Sequence, residues 1–358
     1  MTFRIRRNST RLPDRSKGIA VITVLLALAI AVLISSEVIM RVYMGMKRTT
    51  NQQNALQAWE YALGGEEWAR QRLAVDYLED KEQPVDHLHE DWAMPAQTLE
   101  IEGGFIEIEI YDLQARFNLN NLVDDKGQIN GRQVVVFKRL LQHLGVSAVY
   151  ADKAATWASY VDDPGDKYGT EEMPYRAGDT LFGSITEMHL LGDMEPDFYR
   201  RIAPYITVLP VPVKPNINTA PEALLASLVK EVTPEKLNAF IEQRKEREDG
   251  YNSGSMYINA MGVQDDEITK EDLAVSSDYF EIRVRAEYNE RRSYLISTVY
   301  RDPDTGELLL LSRNKSERFT FENSVRDPVK KKDDDDSKDD KKSADNEKHN
   351  TTQGDKNE

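Results

Sequence analysis

Residues 17–34 read KGIAVITVLLALAIAVLI, in which a lysine and a glycine precede an uninterrupted apolar run. A secretory signal has its small-residue cleavage site after the apolar run, whereas Gly18 comes before it. The run therefore predicts a single membrane-spanning helix that stays attached to the chain. The leader before it carries six basic residues and one acid, and such a positive flank predicts that the rest of the chain lies outside the cytoplasm.

Two interpretations of this junction are open from the apolar run alone. In the first, the chain is an uncleaved signal anchor. In the second, a peptidase cuts after Gly18 and leaves Ile19 as the new N-terminus of the membrane helix, which residues 35–40 would lengthen toward the roughly 20 residues that span a bilayer. The order of lysine, glycine and apolar run favours cleavage, because it resembles a type IV prepilin processing site.

Composition excludes several classes of function. The chain has 358 residues, a formal net charge of −16 and no cysteine. The absence of cysteine excludes thiol catalysis and thiolate metal sites, and the acidic balance opposes binding to nucleic acid. The sequence also lacks a nucleophile elbow, a His-Glu-x-x-His pair, a phosphate-binding glycine loop and a dinucleotide fingerprint. We therefore expect that the protein is not an enzyme.

Two hydrophobic periods predict the main elements. Behind the anchor, apolar residues recur at helical spacing and predict one helix over 19–77. Residues 99–101 and 105–110 alternate between apolar and polar on either side of a glycine pair, which is typical of a β-hairpin. Glu107 and Glu109 share one face of this hairpin, and we expect that face to meet solvent.

The same alternation returns at 280–288, 293–300 and 308–311 and predicts further strands of one sheet. The stretch between carries helix-start signals, namely Asn130 with Gln133, Ser184 with Glu187, Thr219 with Glu222, and Thr233 with Pro234. We predict an α+β fold, with a long N-terminal helix packed on an antiparallel sheet and an inserted α-helical domain. The predicted boundaries are 1–18 (leader), 19–40 (transmembrane helix), 41–121 and 279–327 (helix and sheet), 122–278 (inserted domain) and 328–358 (disordered charged tail).

An acidic loop is the candidate metal site. Carboxylates cluster in a stretch rich in glycine and proline, at Asp162, Asp163, Asp166, Glu171 and Glu172. Calcium takes six to eight oxygen ligands, and a loop with several carboxylates and free carbonyls can supply them. The spacing does not match an EF-hand, and an acidic loop that is simply solvated is the alternative interpretation.

One motif points to another class of function. Residues 216–220, Asn-Ile-Asn-Thr-Ala, are followed by a leucine-rich helix and look like the opening of a helix-hairpin-helix module, some of which bind DNA. The expected Gly-x-Gly hairpin does not follow. A signal-anchored extracytoplasmic nucleic-acid-binding protein is therefore the alternative, and a capped helix pair with a structural role is preferred.

Taken together, several blocks resemble the minor pseudopilin K family of type II secretion systems. The resemblance extends over about residues 15–301 and rests on the blocks KGIAVITVL (17–25), YALGGEEWA (61–69), DLQARFNLNNL (112–122), SITEM (184–188) and NINTA (216–220). The block at 112–122 is the most specific of the five.

The resemblance implies a pseudopilin fold and a place at the tip of the pseudopilus, whose assembly the subunit nucleates for protein export. It also implies cleavage after Gly18 by a prepilin peptidase, N-methylation of Ile19, and a single pass through the inner membrane with the C-terminal domain in the periplasm. The implied partners are the minor pseudopilins I and J, other pseudopilins and secreted substrates, and the implied ligand is structural calcium in the acidic loop.

The resemblance implies that Thr23 is a feature of the subunit at the tip. Most pseudopilins have glutamate at the fifth position after the cut, where a carboxylate in lipid is costly unless the N-terminal ammonium of the subunit ahead neutralises it. A tip subunit has no subunit ahead. We expect Thr23 instead to satisfy its hydroxyl on a preceding backbone carbonyl, although position alone also allows an ordinary membrane-helix residue.

Overall fold

The computed structural model describes residues 15–160, 180–192, 194–263, 268–315, 318–319 and 321. The α-helices in these ranges are α1 (Arg15–Glu79), α2 (Gly131–His143), α3 (Val149–Ala158), α4 (Pro196–Ile202), α5 (Glu222–Leu228), α6 (Pro234–Glu246) and α7 (Ser255–Met261). The strands are β1 (Gln97–Ile101), β2 (Gly104–Asp112), β3 (Phe117–Asn118), β4 (Ile206–Thr207), β5 (Tyr279–Tyr288), β6 (Arg291–Arg301) and β7 (Leu308–Asn314).

Helix α1 confirms the long helix predicted from periodicity. Its 65 residues extend for about 100 Å at 1.5 Å per residue. Residues 19–50 are exposed all round, whereas Ala62, Ala69 and Leu73 in the second half are fully buried against the sheet. Gly65 permits this close packing, because a Cβ atom at that position would lie 2.7 Å from Cγ1 of Val284.

The sheet has the order β1-β2-β5-β6-β7, and all of its neighbouring strands are antiparallel. The predicted hairpin and the three predicted late strands are therefore confirmed as one sheet. The prediction that Glu107 and Glu109 face solvent is wrong. Pairing with β5 places Arg285 against Glu107, and Glu109 is 3% exposed and accepts a hydrogen bond from the Tyr111 hydroxyl.

The helices between β2 and β5 form a second core, which includes Phe137, Met188, Leu225 and Tyr257. Residues Phe117, Leu119 and Leu122, just after β2, already pack into it. The α+β prediction with an inserted helical region is confirmed, since the α1 and sheet core is formed by chain segments on both sides of this region.

The predicted helix starts have mixed outcomes. Asn130 caps α2 by accepting from the Gln133 amide, and Ser184 forms a capping box with Glu187, although the helix that follows, Ile185–Leu190, is 3₁₀. Proline occupies the first turn of α6 as predicted, but Thr233 makes no side-chain cap. The cap predicted at Thr219 is wrong: α5 begins after Pro221.

Candidate functional site

The predicted processing site lies in the first turns of α1. The helix includes both Gly18 and Ile19, and the leader residues 1–14 lie outside the described part of the chain. Within the described part, one helix, Ile19–Glu79, is long and apolar enough to cross a membrane, and its most apolar stretch is not buried by the protein. This exposure fits a membrane anchor. Cleavage after Gly18 stays a prediction.

Thr23 makes the hydrogen bond expected of it. Its hydroxyl donates to the carbonyl oxygen of Ala20 at 2.9 Å, one turn earlier in α1. Residues 19–36 carry no charged side chain, and Glu37 is the first acid after Ile19. The predicted hydroxyl bond is thus confirmed, while its connection with the tip of a fibre stays a prediction.

The predicted calcium ligands Asp162, Asp163, Asp166, Glu171 and Glu172 all lie outside the described residues. The calcium site therefore stays a prediction. Its described flanks are held to neighbouring segments. The amide of Tyr160 donates to the carbonyl of Gly127 at 3.1 Å, and the amide of Phe182 donates to Oδ1 of Asn120 at 2.8 Å.

The most specific sequence block, 112–122, has a structural role. The block carries three asparagines that are at most 7% exposed, namely Asn118, Asn120 and Asn121. Their side-chain amides form the hydrogen bonds that a neighbouring strand would otherwise make with the backbone of the segment that follows β4. Asn118 and Asn120 bond the backbone at Leu209, and Asn121 both donates to the Val213 carbonyl and accepts from its amide. Their hydrogen bonds satisfy a buried irregular backbone, which explains why the block carries three asparagines.

A buried polar junction lies between the two cores, and Arg301, at the end of β6, is its first hub. Its guanidinium donates to Asp76 of α1 at 2.9 Å, to both carboxylate oxygens of Asp86 at 2.6 Å, and to the carbonyl of Ser277 at 2.9 Å. Arg301 is only 4% exposed, so these charge-assisted bonds are shielded from water. They fix the end of α1, the connection to β1 and the start of β5 relative to one another.

Asp112, the last residue of β2, is the second hub of this junction. One of its oxygens accepts hydrogen bonds from Ser277, Thr219 and Asn216, and the other accepts from the amide of Gln114. Burial raises the pKa of Asp112, and the hydrogen bonds from these groups oppose that rise. The hydroxyl of Thr219 is therefore used for contact between the two cores, which is the physical reason that it does not cap α5.

Three carboxyl groups meet beside Arg301. Oxygen atoms of Asp76, Asp86 and Glu90 lie within 4.8 Å of one another, and within the described residues no other such group is close enough to share a cation. The guanidinium of Arg301 supplies a positive charge to two of the three, Asp76 and Asp86. Burial is the main cause that raises the pKa of Asp76 to about 7, of Asp86 to about 6 and of Glu90 to about 9.

Among the described residues, Glu90 is the member of this group that has no cationic partner. Its Oε2 atom accepts from the His87 amide and from the Trp92 indole, and its buried Oε1 atom accepts no hydrogen bond. Nε2 of His87 lies 3.5 Å from Oε1, but burial, followed by the neighbouring His89, lowers the pKa of His87 to about 4. His87 is therefore neutral at pH 7, and Glu90 holds a proton there.

The structure does not present residues 216–220 to a phosphate. Asn216 and Asn218 are fully buried, and their side chains bond Asp86, Ser277, Tyr251 and Val275. Arg244 donates to the carbonyls of Ile217 and Ala220, which fixes the turn from within. The motif belongs to the junction between the two cores, and nothing in its geometry supports the nucleic-acid alternative.

Comparisons with known proteins show the family of this chain. Two models described as type II secretion system, protein K match residues 115–211 and 215–276. Type II secretion system protein K of Pseudomonas aeruginosa is 32% identical over 315 residues, which cover 84% of this chain and 93% of that protein. The chain belongs to the type II secretion system protein K family. It is a minor pseudopilin of that system.

A second relative and a solved structure extend the likeness. Protein K of Aeromonas hydrophila is 30% identical over 84% of this chain and 97% of its own length. The crystal structure of the GspK-GspI-GspJ complex from the enterotoxigenic Escherichia coli system contains a chain that matches 76% of this one with a TM-score of 0.63. At 22% identity, this match shows a shared fold.

Sequence reasoning missed the buried junction. Arg301 lies 225 residues from Asp76 and 215 from Asp86, and no local pattern connects positions so far apart. One signal was available at Asp112, a polar residue that ends an alternating apolar strand. A charged residue at such a buried strand end requires partners, and it could have indicated a polar contact between the two cores.

Proposed function

We propose that this minor pseudopilin is the tip subunit of the pseudopilus and that it nucleates pseudopilus assembly for export across the outer membrane. In this proposal a prepilin peptidase cuts after Gly18, Ile19 is N-methylated, and α1 stays in the inner membrane as a single-pass anchor. The chain after the membrane-spanning part of α1 lies in the periplasm. There it contacts the minor pseudopilins I and J, other pseudopilins and secreted substrates.

The observation that carries the proposal is the hydrogen bond from Thr23 to Ala20 within an uncharged membrane segment. A subunit with a carboxylate at this depth needs a neighbouring ammonium, because an unpaired charge in lipid costs about 2.5–3.5 kcal/mol or more. Thr23 removes that need. The subunit can therefore stand without another subunit ahead of it, while its own N-terminal ammonium remains available to the subunit behind.

Two further findings support the proposed placement. Exposed apolar residues occur along α1 from Ile19 to Met46, on both sides of the ion pair of Glu37 with Arg41, so the helix can contact lipid or neighbouring helices there. The Escherichia coli structure with the same fold is, by its title, a complex of three proteins, GspK, GspI and GspJ. We infer the equivalent partners for this chain.

Substitutions at Thr23 test the tip proposal. We expect Thr23→Glu to reduce secretion and tip occupancy at least about tenfold, because its carboxylate would lie in lipid without a neutralising partner. Thr23→Gln is the matched control, since glutamine has the same size without the charge, and it should retain most activity. Secretion assays and cross-linking to the pseudopilin behind would measure both. Equal activity of the two variants would contradict the charge argument.

We also propose that the acidic loop binds calcium through Asp162, Asp163, Asp166, Glu171 and Glu172. Calorimetry with calcium on the full chain should show binding that Asp162→Ala and Glu172→Ala each weaken by about tenfold or more, since each removes a charged oxygen ligand. Glu231→Ala, at an exposed carboxylate between α5 and α6, is the control. Absence of binding, or binding that neither loop variant weakens, would reject the assignment.

A further inference from the structure

Two arginines stand side by side on the sheet face opposite α1. Arg283 and Arg285 are two residues apart on β5, so their side chains leave the strand on the same face. Nε of Arg283 donates to Glu281 at 2.7 Å, and Arg285 pairs with Glu107 across the β2–β5 ladder. These ion pairs hold the edge of each guanidinium and so fix the orientation of its flat faces.

Each guanidinium contacts two aromatic rings. One ring of each pair comes from β2: the centre of Tyr111 lies 4.6 Å from Cζ of Arg283, and the centre of Phe105 lies 5.9 Å from Cζ of Arg285. The other ring comes from beyond β7. Phe319 lies 5.7 Å from Arg283, and Phe321 lies 5.5 Å from Arg285.

The two phenylalanines have the same spacing along the chain as the two arginines. Phe319 and Phe321 are two residues apart, as are Arg283 and Arg285, and they contact the arginines in the same order along the chain. Phe319 also meets Tyr294 of β6 edge to face at 5.5 Å, and its ring packs on that of Phe321 at 5.3 Å. A guanidinium face prefers an aromatic ring to an aliphatic side chain, so the match is one of chemistry as well as distance.

We propose that this surface, formed by Phe105, Tyr111, Arg283, Arg285 and Tyr294 and here called the arginine ledge, is a docking site for a segment with aromatic side chains two residues apart. The chain fills the ledge with its own Phe319 and Phe321, which act as a strap. Both rings are only half-buried, so the strap is shallow and can be displaced. While it is in place, its high effective concentration excludes a second segment of the same kind.

This inference concerns a different surface from the membrane helix and does not depend on the tip proposal. The cysteine-free chain provides a direct test of where Phe319 lies, because an engineered cysteine pair has no competing thiol. In full-length protein in membrane vesicles, the Tyr294→Cys/Phe319→Cys variant should form a disulfide within one chain under mild oxidation. The control pair is Leu309→Cys/Phe319→Cys, whose β7 position pairs with Tyr300, about 20 Å along β6 from Tyr294.

Loss of the stacking groups should open the strap. Adding Arg283→Lys and Arg285→Lys keeps the charges but removes the flat faces, and it should lower the cross-linking yield several-fold. Little cross-linking of the Tyr294 pair, or a yield equal to that of the control pair, would overturn the proposal. Cross-links found only between chains would show that a second copy supplies the rings, and they would overturn the intramolecular strap.

A peptide tests the specificity of the ledge. A labelled peptide of residues 315–323, KSERFTFEN, should bind the full-length Phe319→Ala/Phe321→Ala variant at least tenfold more tightly than the wild-type chain, whose own rings compete. The same peptide with both phenylalanines replaced by leucine should bind neither protein. Equal binding to variant and wild type, no binding to a variant that keeps its circular dichroism spectrum, or equal binding of the leucine peptide would overturn the proposal.

Discussion

Glu90 is a buried carboxyl group whose proton is part of the folded structure. Burial, with Asp76 and Asp86 nearby, raises its pKa to about 9 from an ordinary value of 4.5. In the window between these values the folded chain holds a proton that the unfolded chain releases, so stability falls as pH rises. Below pH 6.5, His87 acts in the opposite direction, because its lowered pKa makes the folded chain bind fewer protons than the unfolded chain.

Asp76, whose pKa is raised to about 7, has released most of its proton by pH 8, so the region from pH 8 to pH 9 isolates Glu90. A one-proton linkage predicts a loss of about 1 kcal/mol of unfolding free energy per pH unit there. Glu90→Gln, which cannot lose a proton, should flatten this slope in thermal or denaturant unfolding followed by circular dichroism. Glu100→Gln, on exposed β1 surface, should keep it. A slope equal in wild type and Glu90→Gln would contradict the assignment of the proton.

For single residues, the local sequence predicted some side-chain hydrogen bonds correctly and others incorrectly. The hydroxyl bond of Thr23 and the cap at Asn130 follow from neighbours within four residues, and both are present. Thr219 has an equally good local pattern, yet its hydroxyl bonds Asp112, which is 107 residues away. A local pattern states what a side chain can do, and a buried partner from elsewhere in the chain decides what it does.

Among the elements, the pair Gly64 and Gly65 in α1 shows how the helix meets the sheet. Alanine favours a helix over glycine by about 1 kcal/mol, so Gly64→Ala, whose Cβ meets no atom within 4 Å, should stabilise the chain by about 0.5–1 kcal/mol. Gly65→Ala gains the same propensity but places a Cβ atom 2.7 Å from Val284 and 3.0 Å from Ile106.

We expect Gly65→Ala to destabilise the chain by about 1–2 kcal/mol, because overpacking outweighs propensity. Denaturant unfolding of the two variants beside wild type would measure the difference between adjacent positions in one helix. If both substitutions stabilise the chain, the close packing of α1 on the sheet described above is incorrect.

The types and approximate bounds of α1 and of the five strands of the main sheet could be predicted because each of them presents a clear period. The exception was the polar face of the hairpin. Alternation correctly separated Ile106, Ile108 and Ile110 from Glu107 and Glu109, but it does not say what covers the second face. Arg285 lies 178 residues after Glu107, and only the strand register brings the β5 arginines beside the glutamates.

Across the whole molecule, the junction around Arg301 and Asp112 holds the helical region and the α1 and sheet core together through buried hydrogen bonds. The inserted layout could be predicted, because hairpin and late strands share a period while the stretch between them does not. The junction could not be predicted, since its members come from α1, three connections, and the ends of β2 and β6. The family resemblance predicted the function, whereas the hydrogen bonds of the junction became known only from the structure.

The proposed function requires that the chain is cleaved before its apolar helix and keeps that helix. Intact-mass analysis and N-terminal sequencing of the protein from its native membrane would establish where the mature chain begins. We predict a mature chain that begins at Ile19 with one added methyl group on its amine. A protein that still begins at Met1, or one that has lost both the leader and the apolar run, would rule out the proposed function.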